Sequence, residues 1–141
     1  MIDKFQQIDS FAKLVYYKQR VSITELLNKV IISIRKIKDC DSNTVELALL
    51  TSSHEVFVFL HEQDCCEYVY LYDVDVPLET LLGAPITTAY ESSNEGDSID
   101  GHATWTFYTL GTMANTCVMR WLGESNGYYS ESVSLYRFSD L

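Results

Sequence analysis

The run Val56-Phe57-Val58-Phe59-Leu60 is apolar on both faces of an extended chain, so it has to lie inside a sheet with both faces covered. Its neighbours carry the period-2 texture of strands bounded by turn formers. Ile32, Ile34 and Ile37 alternate with Ser33, Arg35 and Lys36, and Asp39-Cys40-Asp41-Ser42-Asn43 ends that run. Thr44 to Leu50 places Val45, Leu47 and Leu49 on one face, and Thr51-Ser52-Ser53-His54 turns the chain into Glu55 to His61. The three segments predict a meander.

Beyond it, extended runs are predicted for Cys66–Tyr72, Ile86–Tyr90, Ala103–Thr112, Thr116–Gly123 and Ser130–Phe138. Asn126-Gly127 before the last run is a strong hairpin signal, since both residues accept the positive φ of a type I′ turn. Ser92 to Gly101, rich in Ser, Asn, Glu, Gly and Asp, reads as a mobile acidic loop. Helices are predicted at Phe11–Gln19, where Phe11, Leu14 and Val15 share a face, and after the capping-box pattern Ser22-Ile23-Thr24-Glu25. A short one is predicted from Pro77 to Gly83. No βαβ alternation or internal repeat is present. The expectation is an α+β domain, mostly antiparallel β-sheet, with N-terminal helices and one short helix between strands. Residues 1–21 read as a helical extension and 22–141 as a single α+β domain.

The 141 residues, 47% hydrophobic and 13% aromatic, suffice for one core without metal or disulfide staples. No apolar run is long enough for a membrane helix, and the N-terminus lacks a signal-peptide pattern. An adjacent pair such as Cys65-Cys66 does not easily bridge to itself. The four cysteines (with Cys40 and Cys117) therefore read as free thiols of a cytoplasmic protein.

Charge is distributed unevenly along the chain. Residues 1–38 hold eight basic and three acidic residues, a net of +5, and residues 39–141 hold two basic and seventeen acidic, a net of −15. Such a body is either simply solubilised by its acids or complementary to a basic partner, and it repels nucleic acid. The N-terminal part would dock on its own acidic body or on a neighbouring subunit, so an oligomer is possible.

Two segments gather chemistry-bearing residues. His61-Glu62-Gln63-Asp64-Cys65-Cys66-Glu67 contains every common ligand type, with His61, Asp64 and Cys65 as metal candidates. A structural zinc site, however, usually has two separated ligand pairs, so turn capping by Asp64 and core filling by cysteine compete with that reading. The second segment sets Trp105 and Trp121 on adjacent strands, with Glu124, Ser125, Asn126, Tyr128 and Tyr129 in the following turn. It offers either a surface that stacks a planar ligand, such as a nucleotide signal, or core tryptophans beside an exposed Tyr128-Tyr129 turn. Asp64 and Glu67 complete the candidate binding residues. No phosphate loop, nucleophile elbow, H-E-x-x-H helix or Rossmann fingerprint occurs, so no catalytic residue, enzyme activity or cofactor is expected.

His61-Glu62-Gln63-Asp64-Cys65-Cys66-Glu67, Leu78-Glu79-x-Leu81-Leu82-Gly83, Thr104-Trp105-Thr106-Phe107-Tyr108 and Arg120-Trp121-x-Gly123-Glu124-Ser125-Asn126-Gly127-Tyr128-Tyr129-Ser130 resemble a small domain family of unknown function. That family is encoded largely by bacteriophages and prophages, and the resemblance covers roughly residues 22–137. It implies a mobile-element origin in a bacterial cytoplasm and no known reaction. With the acidity, it leads to an expected partner: a host protein with a basic surface, such as a nucleic-acid-binding nuclease inhibited in the manner of an anti-CRISPR protein. Carboxylates would then stand where phosphates otherwise bind.

Overall fold

The computed structural model describes residues 2–14, 18–98 and 101–138. A six-residue helix α1 (Ile2–Gln7) is followed by nine strands: β1 (Lys18–Val21), β2 (Ile31–Lys38), β3 (Thr44–Thr51), β4 (Val56–Leu60), β5 (Tyr68–Val74), β6 (Thr88–Ser98), β7 (Gly101–Gly111), β8 (Thr116–Ser125) and β9 (Ser134–Phe138). Two 3₁₀ turns, Ile23–Leu26 and Leu78–Leu81, are the only other helical elements among the described residues.

All strand pairs are antiparallel, in the order β1-β9-β4-β3-β5-β8-β7-β6 with β2 on the side of β3. A single residue pair, Thr44 with Leu71, links β3 to β5, so the sheet curls there into two halves of a half-barrel. The inner faces meet in the main core, where Phe59 lies 4.7 Å from the Tyr108 ring and 6.5 Å from Trp121. The Tyr108 hydroxyl donates to the Val133 carbonyl at 3.1 Å and ties the halves together across that core.

The expected α+β class is thereby corrected to a mostly antiparallel β fold without substantial helices. The meander is present as β2-β3-β4, and Val56–Leu60 is fully buried between β3 and β9. The helix expected over Phe11–Gln19 is absent from the described part of that range. Lys18–Val21 is instead an edge strand whose partners are Leu135 to Phe138. The chain around Phe11 is a turn closed by the Leu14 amide on the Phe11 carbonyl (3.0 Å), and the buried Glu46 carboxylate anchors it by accepting the Phe11 amide (2.7 Å), the Ala12 amide (3.3 Å) and the Ser10 hydroxyl (2.7 Å). Pairing of Lys18–Val21 with β9 and burial of Phe11 against Phe5 and Phe138 take the place of the expected helix.

At the capping-box pattern, Ser22 does accept an amide, that of Thr24, but only one 3₁₀ turn follows. The loop expected over Ser92–Gly101 is, in its described part, the end of β6 and the start of β7. The Asn126-Gly127 turn does not close a hairpin either: β9 leaves β8 and crosses to pair with β4 and β1.

On the outer face of β3-β4-β9, Phe5 and Phe11 are fully buried against Ala48, Leu50, Val58, Leu60 and Phe138. Phe11 meets Phe138 edge-on at 5.7 Å, and Arg35 donates to the carbonyls of Phe5 and Ile8. Phe11→Ala is expected to lower unfolding stability by about 3–4 kcal/mol in urea titration, as for other buried phenylalanines. A change below about 1 kcal/mol would show the segment to be a dispensable cover.

Candidate functional site

The inner face of β6 and β7, beyond the reach of the core, is polar. Glu91, Ser93 and Glu95 lie opposite Tyr108, Thr106 and Thr104, so all share the inward face, and His102 continues it. The connection from Ser125 to Val133 crosses in front of this face, and Arg20 of β1 reaches in from the other half. Together they enclose a groove of about 420 Å³.

Glu131 holds the crossing connection in place. Its buried carboxylate accepts from Thr104 Oγ1 at 2.8 Å and from the Ser125 hydroxyl, and it contacts His102 Nδ1 at 2.6 Å. Burial pushes this carboxyl upward, but hydrogen bonds from Ser125, His102 and Thr104 outweigh it and hold the group below its ordinary range. Ser125 Oγ also takes the Gly127 amide, and Asn126 Oδ1 takes the Tyr128 amide at 3.0 Å, which shapes the turn. The close approach needs Gly123: a Cβ there would sit 2.1 Å from the Glu131 carbonyl oxygen.

A second carboxylate braces the far end. Glu67 is buried and accepts from the Asp64 amide (3.0 Å), the Cys65 amide (2.8 Å) and Gln63 Nε2 (3.1 Å), and His61 Nε2 stands 2.7 Å away. Burial works against ionisation, yet these donors lower its pKa to about 2. His61 Nδ1 meets the Ser132 carbonyl at 2.7 Å, which joins the β4–β5 loop to the groove wall. Both His61 nitrogens are thus engaged within the protein.

Cys65 and Cys66 are bonded to each other, a correction to the free-thiol reading. Cys40 and Cys117 are free, as expected. The metal candidates His61, Asp64 and Cys65 do not converge, and no group of three or more metal-ligating side chains occurs among the described residues.

Of the expected binding residues, Ser125, Asn126 and Tyr129 belong to the groove or its wall, and Tyr128 stands 82% exposed beside it with its ring 5.0 Å from Tyr129. The two tryptophans are not brought together. Trp105 pairs with Leu122 and Trp121 with Thr106, which sends their rings to opposite faces of the sheet. Trp121 is core; its Nε1 finds no acceptor among the described residues. Trp105 is half-buried on the outer face, edge-on to Tyr72 at 5.1 Å, with the Arg120 guanidinium 5.5 Å above its ring and paired to Asp73. Glu124 is on that outer face too, and Asp64 is in the β4–β5 loop. A stacking site between the tryptophans is therefore ruled out by the register.

Glu91, Glu95, His102, Glu131 and Arg20 line the groove without being singled out by any motif of the sequence. The alternation Glu91-x-Ser93-x-Glu95 opposite Thr104-x-Thr106-x-Tyr108 is the available signal, hidden because most of the first triplet sits in a stretch of loop-like composition.

A family model described as a domain of unknown function (DUF7448) matches residues 24–135. No curated protein and no solved structure matches the chain. No helix among the described residues is long and apolar enough to cross a membrane.

Proposed function

The chain belongs to the DUF7448 family, a domain of unknown function, and from this premise we propose that it is a non-catalytic binding protein whose acidic groove receives basic groups of a protein partner. The observation that carries this reading is the segregation of charge between the two sheet halves. Strands β1–β4 and β9 hold six basic residues against one acidic, a net of +5. Strands β5–β8 hold one basic residue, Arg120, against Asp73, Glu91, Glu95, Asp97 and Glu124, a net of −4.

The groove runs along the acidic half. Glu91 and Glu95 make no ion pair among the described residues, and Arg20 is the only Lys or Arg in the lining. A concave wall in which carboxylates outnumber the single Arg20 concentrates field and speeds the capture of a basic partner. The resemblance to phage and prophage domains extends the proposal to a host protein of a bacterial cytoplasm. A Lys/Arg groove built for nucleic acid, as in a defence nuclease, is the partner that suits carboxylates best.

Binding of a lysine decapeptide tests the electrostatic core of this reading. Affinity is expected to fall steeply between about 50 mM and 500 mM salt, as screening shortens the range of the field. Glu91→Gln with Glu95→Gln is expected to weaken binding by roughly tenfold, on the order of 1.4 kcal/mol. Affinity indifferent to salt and to the double substitution would remove the proposal.

A further inference from the structure

The groove has a free strand edge along one side. β6 pairs with β7 over its whole length, from Thr88 opposite Gly111 to Ser98 opposite Gly101, without a register shift. It ends the strand order, and among the described residues no strand pairs with its other edge. Tyr90 to Gly96 are exposed throughout. An edge of this length, with no proline or bulge, leaves a row of amides and carbonyls available to another chain, and its only protection, the charges of Glu91 and Glu95, discriminates against acidic chains and not basic ones. β1 ends the order on the opposite side, and Arg20 from it lines the same cavity as Glu91, so the two free edges flank the opening.

We propose that β6 receives an extended segment of the partner by strand addition, a reading that rests on the acidic groove proposed above and gives it a binding mode. An added strand would alternate its side chains between the two faces of β6. Those on the groove side lie next to Glu91, Ser93 and Glu95, where lysine or arginine forms favourable cross-strand pairs. Those on the other side lie next to Ser92, Asn94 and Tyr90, which is 56% exposed. The occupant is a segment with a basic residue at every second position and small polar or apolar residues between. A second copy of β6 fits poorly, because Glu91 and Glu95 would face like charges across the pair.

The test uses the full chain and a peptide of about nine residues alternating serine or valine with lysine. Two further versions are N-methylated at every second backbone amide, one in each phase, which keeps charge and removes donors. The parent peptide is expected to bind and to slow hydrogen exchange at alternate amides of β6. One methylated phase is expected to bind roughly tenfold or more weakly, and the other like the parent. Equal binding by all three, with no protection of β6, overturns strand addition and leaves the electrostatic reading standing. No binding by any of them at low salt overturns strand addition and contradicts the acidic groove as well.

Discussion

Replacing Glu67 by alanine is expected to lower unfolding stability by about 3–4 kcal/mol. The side chain is buried, and its two oxygens gather the Asp64 and Cys65 amides, Gln63 and His61 into one cluster. Truncation leaves two amides and an imidazole without their acceptor, which is costlier than the loss of an exposed ion pair. The same carboxylate sets a pH dependence. Its folded pKa of about 2 lies below the ordinary value of 4.5, so its contribution is complete above pH 4.5 and is lost as pH falls toward 2. A difference of that size corresponds to about 3 kcal/mol. Urea titrations of the native chain from pH 6 down to pH 2.5 should show the decline, and Glu67→Ala should flatten much of it. Parallel pH profiles for the two proteins would show that Glu67 does not carry the effect.

Gly123→Ala is expected to cost about 3 kcal/mol and to open the groove wall. The new Cβ would lie 2.1 Å from the Glu131 carbonyl oxygen and 2.8 Å from Glu131 Cβ, both anchored rather than at the end of a flexible side chain. The Glu131 backbone must move, and its contacts with His102, Thr104 and Ser125 go with it. The His102 imidazole signals in an NMR spectrum should therefore shift in the variant. A variant as stable as the parent, with unchanged His102 signals, would mean that the crossing connection is not packed against β8 as described.

Much of the sheet was legible because burial imposes a period. Val56–Leu60, apolar on both faces, sits in the interior, and the alternations at Ile31–Lys38 and Thr44–Thr51 are strands. The errors fall where a tertiary contact overrides a local preference. Phe11 and Leu14 have helical spacing, but the end of the expected helix, from Lys18, pairs as a strand with β9, more than a hundred residues away in sequence. Asn126-Gly127 has the chemistry of a hairpin turn, yet Ser125 and Glu131 hold that connection while β9 finds better pairing on β4. Of the site, Ser125, Asn126, Tyr128 and Tyr129 were legible from the turn. Glu131 was not, because nothing local marks a carboxylate whose partners, His102 and Thr104, are nearly thirty residues back. The Trp105–Trp121 grouping failed by one residue of register, enough to send a side chain through the sheet.

The segregation of charge between the two sheet halves is the claim on which the functional reading rests. Chemical-shift mapping with the lysine decapeptide at low and high salt addresses it most directly. Shifts centred on Glu91, Glu95 and the Ser125–Val133 connection, and erased near 500 mM salt, are the expected result. Shifts that persist in high salt, or that centre on Tyr72 and Trp105 of the outer face, would contradict it.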